Sequence, residues 1–221
     1  MEKKTKKLFL IGAGFISAFV LWTLLLLCVD VKPIGPRESC VGFATLNGYI
    51  HRLTGANFSL YIITDWLGIL PIAIAFGFAI LGLFEWISQK SILKVDKSIL
   101  ALGAFYAVVF AAYLFFECVI INYRPVLIVG CLEASYPSST TMLVMCVMPT
   151  AMMQFSSRVR SSAIKRILNL SITAFILFMV TGRLISGVHW FTDIIGGALF
   201  SIGIVTIYYA VFSDLQRKSQ Q

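Results

Sequence analysis

The segment Gly182–Asp193 reads GRLISGVHWFTD, and it places an arginine, a histidine and an aspartate within eleven positions. His189 and Asp193 are four apart, so on a helix they share one face. A carboxylate there can hold the proton on one ring nitrogen and leave the other as a base or nucleophile. Arg183 precedes His189 by six positions. A break at Ser186-Gly187 would let its guanidinium reach the same point from the preceding helix. Arg124, in the segment NYRP, supplies a second guanidinium. Two such forks suit the non-bridging oxygens of a phosphoryl group. A third segment, YPSSTT at 136–141, opens with Pro137-Ser138-Ser139. That is a helix start, whose free backbone N–H groups attract anions. Together these groups describe a phosphate cradle around a histidine nucleophile.

Each group also has a plainer reading. A histidine at a membrane edge can simply be hydrogen-bonded, and the arginines can bind lipid headgroups. PSSTT alone is a helix cap. His189 and Asp193 are potential metal ligands, but the second histidine, His51, is remote, so no metal site is expected. The order and spacing of all the groups favour the cradle.

The elements that must position these residues are membrane helices. The 221-residue chain is 59% hydrophobic and only 13% charged, whereas a soluble domain is about half apolar and a quarter charged. The net charge of +8 falls in short clusters between apolar runs, as orientation signals do. No basic and aromatic alternation marks a nucleic-acid groove. Runs long enough to cross a bilayer lie at 8–29, 66–86, 99–121, 137–155, 167–184 and 194–212. The fold class expected is therefore all-α: a six-span helical bundle, one domain over 1–221. The first run is read as a retained signal anchor. The fourth is the weakest and needs Pro137–Thr140 in its first turn. Pro71 and Pro149 are expected to kink their spans.

Thirteen of the 18 Lys and Arg residues fall on one side. They are Lys3, Lys4, Lys6 and Lys7; Lys90, Lys94 and Lys97; Arg158, Arg160, Lys165 and Arg166; and Arg217 and Lys218. The positive-inside rule then puts both termini in the cytoplasm of a multi-pass membrane protein. The three polar segments converge on the outer face. The outer segment around 30–65 carries a loose apolar stripe (Val41, Ala44, Leu46, Ile50, Leu53), which predicts a short surface helix. Cys28, Cys118 and Cys146 read as small apolar side chains. Cys40 and Cys131 share the outer side, where a disulfide is one option that sequence does not decide.

The chain resembles the type 2 phosphatidic acid phosphatase superfamily of membrane lipid phosphatases. That family's signature is a lysine, six residues and Arg-Pro; then Pro-Ser-Gly-His; then Ser-Arg, five residues, His, three residues, Asp. Arg124-Pro125 matches the end of the first part and Pro137-Ser138 the start of the second. Arg183, His189 and Asp193 match the third at the family spacing. The resemblance implies that His189 attacks phosphorus to give a phosphohistidine and that Asp193 orients and charge-balances it. It also implies that Arg124, Arg183 and the Ser138–Ser139 backbone hold the phosphoryl oxygens, with no metal or cofactor. Four positions depart from the signature. Glu117 stands in place of the lysine, where it would repel phosphate or else pair with Arg124 or Arg183. Ser139 replaces glycine, and Gly182 replaces the serine before the arginine. Thr140 replaces the second histidine, the general acid. Losing a general acid costs about 10²–10⁴-fold, which favours substrates with good leaving groups. The expected substrates are undecaprenyl diphosphate of a bacterial envelope first, then phosphatidic acid and phosphatidylglycerol phosphate. The alternative is a catalytically weak or inactive member that binds or transports a lipid phosphate.

Overall fold

The computed structural model describes residues 3–219 as eight α-helices with short connections. They are α1 (Lys3–Cys28), α2 (Ala44–Thr54), α3 (Phe58–Leu67), α4 (Ile69–Gln89), α5 (Lys97–Cys118), α6 (Ser139–Arg158), α7 (Ser162–Ile185) and α8 (Phe191–Ser219). Among the described residues, extended pairing is limited to isolated bridges. The all-helical membrane architecture expected from the sequence is thus present.

Among the described residues, five stretches are long and apolar enough to span a bilayer: Lys3–Cys28, Phe58–Gln89, Lys97–Cys118, Ser162–Ile185 and Phe191–Lys218. The sixth expected run corresponds to α6, which has the length but a more polar composition. Its position explains this. Thr140, Thr141, Thr150 and Gln154 are buried, and α4, α5, α7 and α8 all pack against α6. A helix enclosed by protein need not be apolar all round, provided its polar groups are bonded. Gln154 donates to Tyr208 Oη (2.7 Å), and Thr150 Oγ1 donates to the Cys146 carbonyl (2.9 Å).

The second span begins at Phe58 rather than Trp66. Asn57 caps α3 by accepting the Leu60 N–H, so the polar Thr64 and Asp65 lie inside a helix. Gly68 then separates α3 from α4. Pro71 consequently sits in the first turn of α4, where a missing N–H is tolerated, whereas Pro149 lies within α6. A short helix, α2, forms within the segment around 30–65, and all five cysteines are free thiols, Cys40 and Cys131 included.

The largest core cluster joins α1, α4, α5, α6 and α8 through Phe19, Phe78, Leu102, Phe105, Met142 and Phe200, among others. Gly12 and Gly203 let α1 and α8 approach closely. A Cβ on Gly12 would lie 2.9 Å from the Gly203 carbonyl and 2.6 Å from Ile207. Such small-residue contacts are a usual means of packing membrane helices. The tight α1–α8 and α6–α8 packing fixes one end of α8, and with it the residues at its start.

Candidate active site

The site is built where the ends of α5 and α7 meet the starts of α6 and α8. The α5–α6 connection is a hairpin. Ser135 donates its N–H to the Asn122 carbonyl (2.9 Å), Arg124 donates to the Glu133 carbonyl (3.1 Å), and Ile128 and Cys131 pair across the tip. Val129 and Gly130 at the tip have φ of 49° and 77°, the backbone twist of a tight two-residue turn. One arm of this hairpin presents Asn122 and Arg124, and the other presents Ser135.

The α7–α8 turn supplies the rest. α7 ends at Ile185, the expected break falls at Ser186-Gly187, and His189 lies between the helices. Gly187 has φ of 64°, and a Cβ there would lie 1.7 Å from the Gly55 carbonyl, so the turn requires glycine. Asn57 donates its N–H to the Ser186 carbonyl (2.9 Å), tying the turn to the start of α3.

His189 is therefore not on a helix with Asp193, and their contact is not the direct one that i,i+4 spacing implies. His189 Nδ1 is 3.9 Å from Asp193 Oδ2. Ser135 stands between them. Nδ1 lies 3.2 Å from the Ser135 carbonyl and 3.1 Å from its hydroxyl, and that hydroxyl donates to Asp193 Oδ2. Asp193 also accepts the Trp190 N–H (2.9 Å) and the Asn122 amide (3.3 Å). The first of these is the reciprocal bond of a helix-capping box. A carbonyl only accepts, so Nδ1 carries the proton and Nε2 holds the lone pair. Nε2 faces Arg124, whose Nη1 lies 3.4 Å away. Burial, then the charges of Arg124 and Arg183, hold the His189 pKa well below the usual imidazole range, against the opposing pull of the Ser135 carbonyl. The neutral ring therefore persists to lower pH than a free imidazole.

The two guanidiniums are anchored differently. Arg124 is paired through Nε with Glu133 (3.1 Å). Arg183 is 2% exposed. Its Nη1 donates to Thr64 Oγ1 (3.3 Å), its Nη2 meets Asp65 Oδ1 (3.4 Å), and the group lies 4.9 Å over the Tyr61 ring. Of the two roles the sequence left open for Glu117, pairing with Arg124 or Arg183 is not seen among the described residues. Glu117 is exposed at the end of α5 and shares a small pocket with Ser135 and Ser139.

At the start of α6 the Ser138 N–H donates to the Asp193 carbonyl (3.1 Å), and the Ser138 hydroxyl accepts the Thr141 N–H (3.4 Å). The Ser138 N–H is thus engaged within the protein. The N–H groups of Ser139 and Thr140 have no acceptor among the described residues. Ser139 and Thr140 head an apolar groove of about 510 Å³ that runs between α4, α5 and α6 past Phe76, Tyr113 and Phe110 to Val147.

The sequence reading missed Ser135, Glu133, Asp65 and Tyr61. Ser135 lies two residues before the Pro137 segment and follows no motif. Asp65 lies at the end of the segment that the apolar runs leave outside the spans. Among the described residues, no group of three His, Cys, Asp or Glu side chains gathers as a metal site would.

A helical bundle with His189, Arg124, Arg183 and Asp193 gathered at one end fits one class of membrane protein. Residues 98–217 match the model of the PAP2 superfamily, and the chain belongs to that family. Its fold is similar to that in the crystal structure described as the first transmembrane PAP2-type phosphatidylglycerolphosphate phosphatase from Bacillus subtilis. The TM-score is 0.56 at 17% identity, over 92% of this chain and 95% of that one. At this identity the likeness concerns the fold. No curated protein matches the chain in sequence.

Proposed function

We propose that this protein is a lipid phosphatase or diphosphatase acting at the outer face of the cell membrane through a phosphohistidine on His189. The observation that carries the reading is the His189 setting, with Nδ1–H on the Ser135 carbonyl and the Nε2 lone pair beside Arg124. Nε2 attacks phosphorus, the P–O bond to the lipid breaks, and the leaving oxygen takes the electron pair. The imidazole becomes a cation, balanced by Asp193 through Ser135. Water then attacks the phosphohistidine, releasing phosphate and restoring His189. Arg124, Arg183 and the open N–H groups of Ser139 and Thr140 would hold the phosphoryl oxygens, and the groove below Thr140 would take the lipid chain. No metal or cofactor enters this scheme.

Thr140 offers no proton to the leaving group. A lipid diphosphate expels a phosphate and a monoester expels an alkoxide, so the first suffers less. Polyprenyl diphosphates such as undecaprenyl diphosphate are therefore the preferred substrate class, ahead of phosphatidic acid and phosphatidylglycerol phosphate. The same Thr140 supports a second reading, a protein that binds or moves a lipid phosphate without turnover. Phosphate release by purified protein from a panel of these lipids separates the two. Release from at least one lipid supports the enzyme, and binding without release supports the second reading.

A further inference from the structure

We infer that the end of the bundle opposite His189 carries a separate site for a phosphate-bearing anion, supplied by a membrane lipid headgroup or by free phosphate. α6 spans 20 residues, so this end lies about 30 Å from the cradle. A cavity of about 560 Å³ opens there among the start of α5 and the ends of α6 and α8. Lys97, Arg158 and Lys218 line it from three different helices, together with Ser98, Ser157 and Asp96. Three cations therefore converge on one space that has a single lining carboxylate.

That carboxylate is already engaged. Asp96 accepts Arg158 Nη2 (2.8 Å) through one oxygen and the Ser98 N–H (2.8 Å) through the other. Lys218 meets Asp214 (2.8 Å). Lys97 has no ion-pair partner among the described residues. It is the first residue of α5, where the helix dipole disfavours a cation, and the neighbouring N-cap carboxylate of Asp96 is turned to the Ser98 N–H and Arg158. Arg158 is pre-positioned by Asp96 and by the side chain of Gln154, which is fully buried. Both terminal nitrogens of Arg158 are engaged, with Gln154, Ser157, Asp96 and Ser98, so an anion in the cavity would pair with Lys97 within the field of Arg158 and Lys218.

The surroundings favour a lipid source. The turn just before α5 exposes Ile92 and Leu93, the latter 84% exposed, beside Lys94. Apolar side chains flanked by lysines are suited to the boundary between headgroups and acyl chains. By the charge distribution of the chain this boundary belongs to the cytoplasmic leaflet, whose anionic lipids attract basic pockets between helices.

The test uses full-length protein carrying Arg124→Ala, which weakens phosphate binding at the other end. It is placed in nanodiscs of phosphatidylcholine, with or without phosphatidylglycerol, and separately exposed to inorganic phosphate. Thermal stability and lipid retained in native mass spectrometry are read. Phosphatidylglycerol should raise Tm and be retained, and the pair Lys97→Gln with Lys218→Gln should remove most of the Tm gain and lower retention several-fold. The pair Lys165→Gln with Arg166→Gln removes equal charge from α7 outside the cavity and should leave both intact. The same site-dependent gain with inorganic phosphate alone would assign the site to the free anion. Equal losses in the two pairs, or no loss in the first, would overturn the site.

Discussion

His189 Nδ1 and Asp193 Oδ2 stand 3.9 Å apart, with the Ser135 hydroxyl bonded to the carboxylate between them. The carboxylate acts on the ring through Ser135, while the Ser135 carbonyl sets the tautomer. Ser135→Ala keeps that carbonyl and loses the hydroxyl. Hydrogen bonds to charged groups contribute about 1.5–3 kcal/mol, so kcat should fall roughly 10- to 100-fold with KM little changed. Asp193→Asn should also lower thermal stability, because the Trp190 N–H and the Asn122 amide lose a charged acceptor. Steady-state kinetics and melting curves of the two variants check this.

The pH profile follows from His189. Its pKa is depressed below 6.5 by burial and by the two arginines, so the neutral ring persists to lower pH than a free imidazole. The acid limb of kcat/KM, which reports the free enzyme, should lie below pH 6.5. Arg124→Gln removes one of the depressing charges and should move that limb upward on the same substrate. Stability has the matching sign. The unfolded chain takes up a proton near pH 6.5 that the folded ring refuses, so the His189 contribution is present above that value and is lost as pH falls below it.

The two arginines should separate by stability. Arg183 is buried among Tyr61, Thr64 and Asp65, and Arg183→Ala leaves buried Thr64 with one partner fewer. It should lower both kcat/KM and Tm, the stability cost being on the order of 1–3 kcal/mol. Arg124 lies on the hairpin and pairs with Glu133. Arg124→Ala should cost kcat/KM about as much, with a much smaller change in Tm.

The family assignment was legible because Arg183, His189 and Asp193 keep a spacing that survives in sequence. The helices were legible because apolar runs of that length fit a bilayer. The start of α3 was not, since Thr64 and Asp65 look like loop residues until Arg183 is seen to bury against them. Nor was Ser135, which reaches His189 only because the hairpin folds back. The engagement of the Ser138 N–H with the Asp193 carbonyl likewise depends on how α6 and α8 start side by side.

Thr140 and Glu117 test the leaving-group account. Thr140→His should speed hydrolysis of phosphatidic acid by roughly 10²-fold or more and of a polyprenyl diphosphate by clearly less. Equal gains on both would refute it. Glu117→Lys should lower KM for both lipids if the carboxylate repels the incoming phosphate. An unchanged KM would place Glu117 outside the substrate's reach.

The facing of the site can be read with cysteine labelling. Val129, 97% exposed at the hairpin tip, and Ser161, exposed at the start of α7, lie at opposite ends of the bundle. In a background lacking the exposed Cys28, Cys40, Cys118 and Cys131, Val129→Cys should react with a membrane-impermeant thiol reagent in intact cells. Ser161→Cys should react only after lysis. The reverse pattern would put the site in the cytoplasm.

The central claim is a covalent phosphoryl group on His189, and trapping it is the most direct measurement. Purified protein is mixed with a polyprenyl diphosphate carrying a radiolabelled terminal phosphate, quenched in base during turnover, and digested for mass spectrometry. The account predicts a base-stable, acid-labile phosphoryl group on the peptide containing His189, absent from His189→Ala, together with loss of phosphate release in that variant. Turnover that persists in His189→Ala, or label on another residue, would contradict it.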